Sequence, residues 1–143
     1  MPQVLLADDE RFLLSPVIDA IRERLGEEID VVCTAMAAIR RLRLQEYRVC
    51  IVDMMLPMCS VEDLLTGDQS IPVLPGEHCG PYVCNAAKEL HPDCAVVVYT
   101  VMPPNQVSVL FDSLGLARPS FPVLNKTDKI EDLLSIVTRH TRK

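Results

Sequence analysis

Short aliphatic runs alternate along this chain with longer segments whose apolar residues recur at helical spacing. The runs are Val4–Ala7, Asp30–Cys33, Val49–Val52, Ala95–Tyr99 and Pro122–Leu124. Most are rich in Val and Ile and too short to stand as helices. They lack the apolar–polar alternation of a half-exposed strand, so they predict parallel strands covered on both faces.

The segments between them predict helices. Leu14, Val17, Ile18, Ile21 and Leu25 fall at i, i+3, i+4, i+7 and i+11. Val107, Leu110, Phe111 and Leu114 repeat the stripe, as do Ile130, Leu133, Leu134 and Val137. Weaker helical patterns cover Ala35–Leu44 and Pro81–Leu90. Ser15 and Pro16 suit the cap and first position of the first helix. The order is therefore βαβαβαβαβα. Right-handed crossovers then favour an α/β, flavodoxin-like doubly wound sheet of five parallel strands in the order 2-1-3-4-5.

One segment breaks the rhythm. Met58–Cys79 has no clear period and carries Pro72, Pro75 and Gly76. Val61–Leu65 has the makings of one helical turn, and Ile71–Leu74 of a short strand. A loop of this length inside a compact domain is uncommon and usually functional or mobile.

Composition adds bounds. The 143 residues fit a single domain, 1–143. Only three Phe and three Tyr are present, so the core is expected to be aliphatic. A net charge of −6 argues against a phosphate-binding nucleic-acid face, and Arg40, Arg41 and Arg43 read as a solvated helix face. No apolar run is long enough for a membrane span, and the opening MPQVLLADDE is not a signal peptide, so the cytoplasm is the expected compartment. Six cysteines without a secretory signal do not suggest disulfides, and Cys33 and Cys50 read as buried core residues.

The chemistry gathers at the strand ends. In this fold ligands bind beyond the carboxyl ends of the strands, at the switch point between strands one and three. Strand one ends in Asp8, Asp9 and Glu10, strand three in Asp53, strand four in Thr100 and strand five in Lys126. Two like charges ~4 Å apart repel by about 4 kcal/mol at an effective dielectric near 20. Such a cluster must protonate or hold a cation, and oxygen donors in a partly open site suit Mg²⁺. Asp53 is the expected nucleophile, forming an acyl phosphate. Asp8, Asp9, Asp53 and the Met55 carbonyl are the expected metal ligands. Thr100 and Lys126 are expected to grip phosphoryl oxygens.

LLADDE, IVDMMLP, VVVYT and VLNK together resemble, in order, the signature segments of response-regulator receiver domains. The resemblance covers most of the chain outside 58–79. It implies a phosphoacceptor switch of two-component signalling, catalysing its own phosphoryl transfer and hydrolysis rather than acting as a conventional enzyme. It implies Mg²⁺ and a phosphohistidine donor on a histidine kinase or phosphotransfer protein. A downstream protein partner would read the switch. The chain reads as a single-domain regulator or as a domain of a larger protein.

Four departures stand out. Thr127 follows Lys126 where the family usually has proline, and Val123 stands where it commonly has Tyr or Phe. Val101 is bulkier than the usual residue after Thr100, which predicts slow hydrolysis of the phosphoryl group. Gly80-Pro81-Tyr82 resembles the start of the family's third helix, displaced by an insert of roughly twenty residues at about 58–79. That insert is a candidate to dock a partner, to select the kinase or to form a homodimer.

Other chemistry fits less well. His78, Cys79 and Cys84, with Cys59 or His91, lack the spacing of a zinc site. His78-Cys79 lacks the arginine of a phosphatase loop, since Asn85 stands in its place. No phosphate-cradling glycine loop is present for a nucleotide hydrolase. A receiver fold that signals through contacts without phosphorylation remains the main alternative.

Overall fold

A computed structural model describes residues 2–10, 13–26, 28–66 and 77–141. The five strands among these residues are β1 (Val4–Ala7), β2 (Asp30–Val32), β3 (Val49–Val52), β4 (Ala95–Thr100) and β5 (Val123–Asn125). The helices among these residues are α1 (Ser15–Leu25), α2 (Ala35–Leu44), α3 (Val61–Thr66), α4 (Gly80–Leu90), α5 (Pro104–Ser113) and α6 (Ile130–Thr141). All strands are parallel, in the order β2-β1-β3-β4-β5, as the pattern predicts.

Successive side chains of a strand point to opposite faces of the sheet, and both faces are filled. On one face lie Leu5, Ala7, Cys50, Val52, Val96 and Val98, packed with α2, α4 and Phe111 of α5. On the other lie Val4, Leu6, Val49, Ile51, Val97 and Tyr99, packed with α1 and α6. The residues of β1 and β3 are buried without exception, which is why those strands read as unbroken aliphatic runs. Full burial of one such side chain contributes about 1.5–3 kcal/mol.

The edges differ from expectation in small ways. The β2 strand ends at Val32 and leaves Cys33 half-buried, because this strand pairs on one side alone. The β5 strand begins at Val123 rather than Pro122. Pro122 still accepts a bond from the Val98 N–H at 2.9 Å, but proline has no N–H to return. The cap of α1 is Leu14, not Ser15, and Pro16 lies within the first two helical positions. A turn in which the Leu14 N–H bonds the Glu10 carbonyl starts the helix one residue early. All six cysteines are free thiols.

Among the described residues two helices lie between β3 and β4, where the pattern predicts one full helix and a turn. The turn at Val61–Leu65 is α3, while the strand predicted at 71–74 lies outside the described residues. Helix α3 is tied to α2 by a polar knot. Asp63 Oδ2 accepts from the Thr34 hydroxyl at 2.7 Å and the Ser60 N–H at 3.0 Å, and Ser60 Oγ accepts from the Asp63 N–H at 3.1 Å. Ser60 and Asp63 thus exchange the reciprocal bonds of a capping box. Arg40 adds an ion pair at 3.7 Å, so it is half-buried rather than part of a fully solvated basic face.

Candidate phosphoacceptor site

The sheet register delivers two acids side by side. The Asp8 N–H continues the ladder to the Val32 carbonyl at 3.0 Å, and the Asp53 N–H bonds the Ala7 carbonyl at 3.0 Å. Both residues are buried, Asp8 at 1% exposure and Asp53 at 2%. Their neighbour Asp9 is exposed. Ligand oxygens of Asp8, Asp9 and Asp53 all lie within 4.8 Å of one another.

Each buried carboxylate is held the same way. Asp8 Oδ1 accepts from the Glu10 N–H at 2.8 Å, and Asp53 Oδ1 from the Met55 N–H at 3.2 Å. These side-chain turns leave both Oδ2 atoms free to face Lys126. The ammonium lies 2.6 Å from Asp8 Oδ2 and 3.1 Å from Asp53 Oδ2. With Asp53 it makes an aligned hydrogen bond. With Asp8 the contact is ionic, its angle outside hydrogen-bonding geometry.

The electrostatics follow from burial and crowding. Burial pushes the Asp8 carboxyl above its ordinary range, and the Asp53 charge adds to this, while Lys126 and the Glu10 amide pull part of the way back. Asp9 moves up through partial desolvation and then through the charges of Asp53 and Glu10. Burial works against the Lys126 charge, but Asp8 and Asp53 outweigh it and hold the ammonium. Three carboxylates facing one ammonium leave two negative charges uncompensated. Hard oxygen donors, an excess of two charges and an exposed edge at Asp9 fit one Mg²⁺-type cation. Among the described residues this is the one cluster of three or more His, Cys, Asp or Glu side chains placed to hold a metal, so the cysteine and histidine set does not converge.

Thr100 is fully buried at the end of β4, with its hydroxyl accepting from the Met102 N–H at 3.3 Å. Its carbonyl accepts from the Lys126 N–H at 2.9 Å, which joins the Thr100 and Lys126 positions through the backbone. Met55 is exposed, with its amide committed to Asp53. Val101 is half-exposed at 51% and Val123 half-buried. Tyr99 faces the α1 and α6 side of the core, while Phe121 meets Phe111 edge-on at 6.3 Å.

Two features of the site escape a pattern reading. A Cβ on Gly80 would lie 2.2 Å from the Asp53 carbonyl oxygen and 2.8 Å from Met54 Cα. The glycine therefore lets α4 start directly against the backbone that carries Asp53. Its place before Pro81 at a helix start is the available signal. The second feature is Asn125, whose side chain braces the turn that carries Lys126.

A fold with its sheet in this order has clear counterparts among solved structures. One is a CheY-like response regulator receiver domain from Methanospirillum hungatei JF-1, with TM-score 0.66 and 18% identity, covering 97% of this chain and 92% of that one. A receiver domain from Clostridium thermocellum gives 0.64 and 20%, covering 98% and 94%. A Burkholderia pseudomallei response regulator, described with a phosphorylated aspartic acid, calcium ion and citrate, gives 0.65 and 17%, covering 96% and 66%. No protein-family model matches the chain, and no curated protein matches it. The fold is thus that of response-regulator receiver domains, spanning nearly the whole chain at low sequence identity. No helix among the described residues is long and apolar enough to cross a membrane.

Proposed function

We propose that residues 1–143 form one receiver domain that takes a phosphoryl group on Asp53 and relays that state to a protein partner. The observation that carries the reading is the Lys126 ammonium set between the buried Asp8 and Asp53 carboxylates, beside the exposed Asp9. An Asp53 carboxylate oxygen attacks phosphorus while the phosphorus–nitrogen bond of a phosphohistidine breaks and the imidazole leaves with the electron pair. With acetyl phosphate the leaving group is acetate. Water later returns Asp53 to a carboxylate and releases inorganic phosphate.

The chain's residues have separate parts in this. Lys126 meets the negative charge arriving at Asp53, and the Thr100 hydroxyl would turn toward a phosphoryl oxygen. Asp8, Asp9, Asp53 and the Met55 carbonyl would hold Mg²⁺. That ion supplies Lewis-acid neutralisation of charge on the transferring group. The donor is a histidine kinase or phosphotransfer protein, the compartment the cytoplasm, and the segment at 58–79 an insertion suited to partner or homodimer contact.

Intact-mass spectrometry after incubation with Mg²⁺ and acetyl phosphate, repeated with candidate kinases, tests this. One added phosphoryl group that disappears in Asp53→Asn is expected. Labelling of the wild type and of Asp53→Asn alike would overturn the assignment. The rival reading, signalling by contact alone, draws on the exposed Val61, Leu64 and Leu65 of α3. It predicts no labelling by any donor.

A further inference from the structure

Lys126 sits at the end of a long flexible stem, so its reach to two carboxylates depends on where its backbone is held. Packing supplies little of that hold. Val123, Leu124 and Asn125 are each half-buried, and Thr127, Asp128 and Lys129 are exposed. Hydrogen bonds take over, and most of them meet at one residue.

Asn125 Oδ1 accepts from the Thr127 N–H at 2.9 Å and from the Thr127 hydroxyl at 2.7 Å. Its own carbonyl accepts from the Asp128 N–H at 2.9 Å, and its N–H meets Asp128 Oδ2 at 3.4 Å. These bonds close a four-residue turn with Lys126 at its second position. Asn125 Nδ2 also reaches the Val101 carbonyl at 3.4 Å. The Lys126 N–H bonds the neighbouring Thr100 carbonyl. One carboxamide thus contacts both loops that bear proposed phosphoryl-gripping residues.

We propose that Asn125 is the positioning residue for Lys126, and that it locks the Lys126 turn to the loop after β4 so that the two arms of the site move together. The proposal rests on the phosphoacceptor reading of Asp53. The carboxamide suits the task because it offers an acceptor toward Thr127 and a donor toward Val101 at once. Aspartate keeps the first contact and loses the second. Alanine loses both.

The test times Asp53 labelling by acetyl phosphate with Mg²⁺ in the full chain, alongside native-state amide exchange at Lys126 and Thr127. Asn125→Ala is expected to slow labelling roughly tenfold or more, since small misplacements of a catalytic group carry large rate penalties. It is expected to speed exchange of the Thr127 amide by a similar factor. Asn125→Asp, which keeps the Thr127 contact, recovers part of the labelling rate, and the remaining deficit reads the lost contact to Val101. In a Lys126→Ala background, Asn125→Ala has no further effect on labelling, because the group it positions is gone.

An Asn125→Ala effect that persists in full without Lys126 overturns the proposal, as does labelling within about twofold of the wild type. If the wild type labels and the Thr127 amide is unmoved by Asn125→Ala, the brace falls while the phosphoacceptor reading stands. If the wild type takes no label from any donor, the phosphoacceptor reading falls, and the positioning role falls with it even where exchange quickens.

Discussion

The two sides of the candidate site are built by different means. The carboxylate side stands on β1 and β3, the most deeply buried strands, with α4 starting against the Asp53 backbone at Gly80. The cation side stands on β5, an edge strand of three half-buried residues, and on an exposed turn closed by hydrogen bonds. Close packing resists displacement, whereas a network of exposed hydrogen bonds opens locally at modest free energy. The acids are therefore a fixed platform and Lys126 the adjustable arm. Under the proposed phosphoacceptor function, Lys126 is the side of the site able to answer the arriving negative charge.

The largest expected effect comes from disturbing the platform. Gly80→Ala places a methyl group inside the Asp53 carbonyl and the Met54 backbone, with no flexible side chain to yield. The backbone must shift, at about 2–3 kcal/mol by the usual overpacking penalty. Urea denaturation measures this, and a change below about 0.5 kcal/mol would show that the platform is as pliable as the turn. Asp53 labelling should fall along with stability.

Next comes removal of the cation. Lys126→Met keeps the stem and leaves the Oδ2 atoms of the buried Asp8 and Asp53 without their cation. The Lys126 side chain keeps 12% of its surface exposed, so the cost falls below that of a fully buried pair, at about 2 kcal/mol. The loss should be greatest in chelator and partly restored by millimolar Mg²⁺, because a divalent ion binding the folded state alone stabilises it by mass action. Thermal melts with and without Mg²⁺ give the answer. No Mg²⁺-dependent rise in melting temperature in either protein would mean that the carboxylates do not share a cation site.

A third experiment asks whether hydrogen bonds can make a fixed element when they are buried. The knot at Asp63 has such bonds, at 7% exposure. Burial raises this carboxyl, but the bonds from Ser60 and Thr34 and the Arg40 charge outweigh it, and the net direction is down. A carboxyl depressed in the folded state adds stability above its unfolded pKa of ~3.9. That contribution is lost as pH falls through the lower folded value. Asp63→Asn should cost about 1–2 kcal/mol at pH 7. Its stability should also decline less than the wild type's in that acidic window. Parallel acid profiles would remove Asp63 from the account.

The platform was legible in the sequence and the arm only in part, for the same physical reason. Strands buried on both faces must be aliphatic throughout, so β1, β3 and β4 announce themselves, and their terminal Asp8, Asp53 and Thr100 can be read off. Lys126 follows because it ends the last such run. The half-buried β5 carries less pattern, and its start is displaced by one residue at Pro122. Asn125 looks like any turn former until its partners at Val101 and Thr127 are known. The bond from Thr34 to Asp63 joins positions 29 apart, a separation that no local periodicity encodes. Gly80 could be read as a helix start, but not as the contact beneath Asp53.

The smallest expected effect tests water access rather than structure. Val101 directly follows Thr100 and is 51% exposed at the rim of the arm. Truncating it removes little buried surface, so Val101→Ala should change stability by less than about 0.5 kcal/mol. Its proposed role is to keep water from the acyl phosphate, and excluding water is a means of suppressing hydrolysis. The phosphorylated lifetime should then shorten a few-fold, followed by intact mass after removal of the donor. The Asn125 Nδ2 contact goes to the backbone carbonyl of Val101 and survives the truncation, so the arm itself should hold its place. A shortened lifetime with unchanged labelling rate would separate shielding from positioning. An unchanged lifetime would leave the rim without a part in the slow step.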